Sequence, residues 1–314
     1  MATNPSPQFA PSAAVAGQQV SAGRRRFVGA VQPYLWLLPA LLVFALFTLL
    51  PLLVGLVLSF FAWDGSGSPR WVGLGNYIEA ATDPKYWPAL WHNVIYAVGT
   101  VAGKILLGLG LALVLNSGLR GRVIFRTLLF IPVVMSFVVI GILWTWIYAY
   151  SNGLLNTILD AVGLSLLKKD WLGDPKVALL AVMGVDVWKW FGFHMVLFLA
   201  GLQSIPAEMY EAARIDGANR WQLFRYMTLP LLAPITVVNV VLAASGAFNV
   251  FDVVYVMTQG GPANSSEVAM TYVYRVGFNF YQFGYASALS MIQLALVATI
   301  TLVLFLGVGR EQRD

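Results

Sequence analysis

Six long apolar runs, at about 34–60, 93–116, 127–150, 177–201, 231–257 and 286–308, alternate along the chain with shorter polar segments. A helix needs about 20 apolar residues to cross a bilayer core, so each run predicts one membrane-spanning helix. The run from Tyr34 to Phe60 is too long for the apolar part of a signal peptide and lacks an obvious small-residue cleavage site, so it is expected to stay as a span. Ahead of it, residues 1–23 are Ala, Ser, Pro, Gln and Gly with almost no large apolar side chains, a composition that cannot repay ordering entropy. Residues 1–30 are therefore read as a disordered tail, and residues 31–310 as one all-α, six-helix membrane domain.

Composition supports that class. The 314 residues are 59% hydrophobic and 11% charged, with a mean hydropathy of +0.75, far from the roughly one-quarter charged of a soluble domain. Zero cysteines exclude disulfides and thiolate chemistry, and His92 and His194 are too far apart in sequence to suggest a metal cluster. The net charge of +5 does not point to nucleic acid, because excess Lys and Arg in a membrane protein marks loops retained on the cytoplasmic side. With the N-terminus inside, the inner segments hold eleven arginines: Arg24, Arg25, Arg26, Arg120, Arg122, Arg126, Arg214, Arg220, Arg225, Arg310 and Arg313. The outer ones hold six basic residues: Arg70, Lys85, Lys168, Lys169, Lys176 and Arg275. Both termini are thus expected in the cytoplasm. The outer segments 61–92 and 258–285 are rich in Trp, Tyr and Phe, either as an interfacial belt or as a docking surface for an external partner.

The inner segment 202–230 has a plan of its own. Ser204 can cap a short helix, Pro206 suits its first turn, and Glu208 and Glu211 lie near its positive end. Gly217 ends it where a positive φ is needed, Asn219 with Gln222 reads as the cap of a second helix, and Pro230 opens the next span. Ala212 and Ala213 leave a low-profile patch between Glu211 and Arg214.

Ionisable residues inside spans are costly and so are functional candidates. Lys104 falls mid-way in the second run, Asp186 and Lys189 lie one turn apart in the fourth, and Asp252 lies in the fifth. Asp186 and Lys189 share a face and could neutralise each other. Asn249 and Asp252, three apart, place an amide and a carboxylate on one stripe, and Trp188, Trp190 and Phe193 surround Lys189. An ion-coupled secondary transporter with a relay through Asp186, Lys189 and Asp252 is an alternative, although no internal repeat supports it.

The motif Glu211-Ala212-Ala213, three residues, Gly217, nine residues, then Met227-Thr228-Leu229-Pro230 resembles the signature loop of the membrane subunits of binding-protein-dependent ABC importers, with Met227 where the family usually has Ile. The stretches Arg120–Pro132, Ser151–Asn156, Leu199–Pro234 and Phe251–Glu267 are similar to the carbohydrate-importing branch, the maltose-type permeases, and the similarity runs from about Pro33 to the last span. The resemblance implies a type I importer permease in a bacterial-type cytoplasmic membrane: half of a heterodimeric pore completed by a second, homologous permease, above a dimer of ATPase subunits and below an extracytoplasmic sugar-binding protein. It implies that Glu211, Ala212, Ala213, Arg214, Asp216 and Gly217 couple to the ATPase, and that Lys189, Trp190, Phe193, Asn249 and Asp252 lie in the sugar-binding region. No G-x-x-x-x-G-K-[ST] occurs, so ATP and Mg are expected on the partner and this chain is not itself an enzyme. A di- or oligosaccharide such as maltose or trehalose is the implied solute, with glycerol phosphate as an alternative.

Overall fold

A computed structural model describes residues 36–117 and 120–311, with side chains to residue 303. The predicted tail, Arg24 to Arg26 and Arg313 lie outside the described residues. The chain divides into a unit Met1–Val54 and a larger unit Gly55–Asp314. The described part of the first unit is a single apolar helix with exposed Trp36 and Phe47; the helix, α1 (Trp36–Leu58), runs on into the second unit and contains a π-turn at Ala45–Leu49. Apolar side chains left uncovered around a helix of this length suit lipid.

After α1 come a minimal hairpin, β1 (Phe61–Ala62) antiparallel to β2 (Arg70–Trp71), and a short helix α2 (Gly75–Thr82). Next come α3 (Tyr86–Asn116), α4 (Arg122–Val134), α5 (Phe137–Ile147), α6 (Leu154–Ala161) and α7 (Ala178–Ser204). They are followed by α8 (Ala207–Ile215), α9 (Arg220–Leu231), α10 (Ala233–Phe248), α11 (Asp252–Met257), α12 (Ala269–Tyr274) and α13 (Phe283–Glu311). Among the described residues, α1, α3, α7 and α13 are long and apolar enough to cross a membrane; α4 with α5, and α9 with α10, are bent pairs at 100° and 64°. Six spans result if each pair counts as one.

The α4–α5 bend has a sequence cause. Pro132 closes α4 without an amide hydrogen, Met135 is extended, and Ser136 caps α5 by accepting a hydrogen bond from the Val138 amide. Run 127–150 is therefore a corner. The fifth run also departs from a straight span: α10 stops at Phe248, Asn249 to Phe251 are not helical, and Asp252 starts α11. Asn249 and Asp252 consequently do not share one helical stripe.

Helices α3 and α7 form the centre of this unit, and small residues set their approach. A Cβ on Gly108 would meet the backbone of His194 and Met195 at 3.0–3.1 Å. On the other side of α7, a Cβ on Gly192 would stand 2.1 Å from the Leu129 carbonyl of α4, so Gly192 has no room for a side chain and Gly108 only a tight fit. Helix α3 starts at Tyr86, several residues before the apolar run. Asp83 supplies the reason: its Oδ1 accepts from the amides of Lys85 and Tyr86, while its Oδ2 accepts from the hydroxyls of Tyr272 and Tyr285, each at 2.6 Å. Burial pushes the Asp83 carboxyl up, but the four hydrogen bonds outweigh it and hold the group below the usual carboxylate range. One carboxylate thus ties the start of α3 to α12 and α13.

Candidate functional site

A cavity of about 310 Å³ opens where α10 breaks, lined by Lys104 of α3, Phe137 of α5, Asp186, Trp190, Phe193 and His194 of α7, and residues 249–253 of the break and α11. Four of the residues expected near a solute, Trp190, Phe193, Asn249 and Asp252, are brought together in its wall. Lys189 is not. It points instead at the α4–α5 corner, where its ammonium donates to the carbonyls of Pro132 (3.1 Å), Val133 (3.0 Å) and Met135 (2.6 Å). A cation at the carbonyl end of α4 satisfies peptide groups that the bend leaves without helical partners. Lys189 also lies 4.8 Å from the Phe137 ring centre and 5.1 Å from that of Trp190.

The expected neutralisation of Asp186 by Lys189 is replaced by another pairing. Lys104 Nζ lies 2.6 Å from Asp186 Oδ2, and both side chains are buried. The reason is directional: an Asp side chain on α7 is too short to reach round to the α4–α5 corner, whereas Lys104 arrives across the glycine-lined seam. The relay through Asp186, Lys189 and Asp252 is likewise not assembled, because each of the first two is engaged elsewhere and Asp252 has no ion-pair or hydrogen-bond partner among the described residues. His194 is buried with Nδ1 at 2.8 Å from Asn239 Oδ1. Beside Asn239, three more residues of this region were not singled out from sequence. Asn93 Nδ2 donates to the Ala247 carbonyl at 3.1 Å and Gln293 Nε2 to the Phe248 carbonyl at 2.7 Å, closing the free end of α10, while Phe137 completes an aromatic wall with Trp190 and Phe193. Buried amides inside apolar runs were the available signal.

The segment 202–230 folds as a compact elbow. Helix α8 has Pro206 at its N-cap, and Ser204 does not cap it: its hydroxyl donates back to the Gly201 carbonyl inside α7. Glu208 is in the first turn and Arg214 in the last. Gly217 has φ +85°, and the amides of Gly217 and Ala218 return to the carbonyls of Arg214 (3.1 Å) and Ala213 (2.9 Å), the paired hydrogen bonds of a Schellman ending. Two residues on, Asn219 and Gln222 form a reciprocal capping box at 2.8 and 2.9 Å and start α9. Tyr210 and Thr228, hydroxyl to hydroxyl at 3.1 Å, fix the angle between the two helices. Glu211, Ala212, Arg214, Asp216 and Gly217 are exposed and Ala213 is half-buried, next to Ile215 and Trp221, exposed by 86% and 67%. This is a rigid protrusion with an apolar tip and charged rims, unmatched by any neighbour among the described residues.

A family model described as the binding-protein-dependent transport system inner membrane component matches residues 104–309, from Lys104 of the cavity through the elbow to the last helix. The chain belongs to this family. The permease is 41% identical over 285 residues to a probable ABC transporter permease of Bacillus subtilis, covering 89% of this chain and 97% of that one. It is 38% identical over 286 residues to the trehalose/maltose transport system permease of Thermococcus litoralis, covering 90% and 94%. Its fold matches a chain in the crystal structure of a bacterial ABC transporter involved in the import of the acidic polysaccharide alginate, with a TM-score of 0.80 at 23% identity, covering 92% of the permease and 99% of that chain. The permease is therefore a membrane-spanning transport component with the fold of an ABC importer subunit.

Proposed function

We propose that this permease is one half of the pore of an ATP-driven importer that moves a di- or oligosaccharide across the cytoplasmic membrane. The observation that carries the reading is the make-up of the cavity at the α10 break. The rings of Phe137, Trp190 and Phe193 stand beside the amide of Asn249 and the carboxylate of Asp252. Sugar rings present apolar C–H faces and hydroxyl edges, and a wall that offers aromatic faces next to hydrogen-bonding groups answers both. The likeness to a trehalose/maltose permease supports the same solute class.

In this reading the elbow lies on the cytoplasmic side, with both termini, and the aromatic 61–92 and 258–285 segments face outward toward a sugar-binding protein. Glu211, Ala212, Ala213, Arg214, Asp216 and Gly217 engage one of two ATPase subunits, which hold ATP and Mg, and a second, homologous permease completes the pore. The Schellman ending and the capping box make the elbow stiff, which is the property a lever between two partners needs. The test is to reconstitute the chain with the ATPase, second permease and binding protein that this reading calls for, and to measure accumulation of labelled maltose and trehalose in proteoliposomes. ATP-dependent uptake is the expected result. Uptake driven by a proton or sodium gradient without the ATPase would overturn the reading.

A further inference from the structure

The charges around the cavity are unevenly committed. Lys104 and Asp186 are in contact at 2.6 Å and cancel. Lys189 is not part of the wall, and its ammonium is held by three carbonyls at the end of α4, whose partial negative charge offsets it. His194 is occupied with Asn239. What remains facing the space is Asp252, exposed and without an ion-pair or hydrogen-bond partner among the described residues. No cation among the described lining residues is free to replace the water that an anionic solute would shed on entering. A neutral sugar loses only hydrogen bonds, which Asn249 and the carboxylate can return.

We propose that the cavity admits uncharged solutes and turns away anionic ones, with Asp252 as the residue that sets this preference. The proposal rests on the cavity being the solute path, and it separates neutral saccharides from sugar acids and from glycerol phosphate. A single unpaired like charge at a partly hydrated site shifts relative affinity by about tenfold. Asp252 is thus a specificity-determining residue rather than a general source of affinity.

The test uses the assembled complex without its binding protein, so that delivery does not decide the outcome. Binding of maltose and trehalose is compared with that of glycerol 3-phosphate and a uronic-acid disaccharide, read from the quenching of tryptophan fluorescence and from the shift of the melting midpoint. The expected result is an affinity for the neutral sugars at least about tenfold above that for the anions, and a gap that narrows by about that factor in Asp252→Asn. Asp252→Ser replaces it if Asp252→Asn fails to assemble, and the wild-type comparison stands by itself. Anions that bind wild type as tightly as neutral sugars would overturn the selectivity, as would a gap unchanged in an assembled variant. If neither class binds, the cavity is not a solute site, and the failure then lies with the reading beneath the proposal.

Discussion

Lys104 Nζ sits 2.6 Å from Asp186 Oδ2 across the seam between α3 and α7, two charges buried together. Removing one partner of such a pair leaves the other charge uncompensated, at a cost of about 3–5 kcal/mol, whereas replacing both with apolar residues of similar size costs far less. Lys104→Met is predicted to lower the melting midpoint of the purified complex sharply. Adding Asp186→Leu should recover most of the loss, a non-additivity that a double-mutant cycle reads directly. Two additive losses would count against the pair.

Lys189 makes a different prediction. Its ammonium is the donor for three carbonyls at the α4–α5 corner, and each buried carbonyl left alone costs roughly 1–3 kcal/mol. Lys189→Met should loosen the corner, seen as faster hydrogen exchange at residues 134–140 of the assembled complex. Exchange in α8 should not change, and equal acceleration everywhere would point to general destabilisation instead.

Gly217 is held at φ +85°, and its amide donates to Arg214. Proline can supply neither the dihedral nor the donor. Gly217→Pro is predicted to leave the spans folded yet cut uptake at least about tenfold, with ATP hydrolysis no longer driving transport. Paired assays of hydrolysis and uptake on the same proteoliposomes check it, and wild-type uptake would refute the coupling role.

Glu267 carries a pH dependence. It is buried beside Arg275, with an ion contact of 3.0 Å; burial raises its carboxyl from 4.5 to about 7, although Arg275 and Lys85 pull the other way. Because the folded state keeps the proton that the unfolded chain has already lost, stability contributed by this group falls as pH rises from about 4.5 to about 7. The melting midpoint should therefore decline across that window, and Glu267→Gln should flatten the decline. A wild-type profile equal to that of Glu267→Gln would exclude the effect.

The four unbroken spans were legible because hydrophobic length is a local quantity, whereas the bends within runs 127–150 and 231–257 were not; the elbow was legible because its signals, Gly217 and the Asn219–Gln222 pair, act within a few residues of themselves. Ser204 was misread for the same reason: its hydroxyl finds an acceptor inside α7 before it can reach α8. The cavity was legible only in part. Trp190, Phe193, Asn249 and Asp252 were named, but their convergence depends on a break in α10 that Asn93 and Gln293 support from positions 154 and 45 residues away from their carbonyl acceptors. Which partner a buried charge takes is likewise a question of reach across helices. Lys104 and Asp186 lie on different elements, and Lys189 beside Asp186 looked the nearer choice.

Two of the interruptions in the apolar helices are stitched by side chains borrowed from elsewhere: the corner after α4 by Lys189 of α7, the end of α10 by Asn93 of α3 and Gln293 of α13. Naked peptide groups in hydrocarbon are expensive, so these threads resist being cut during a transport cycle. Whatever gating swing the permease undergoes must carry each kink together with its donor helix, making the two discontinuities passengers on neighbouring rods rather than free joints.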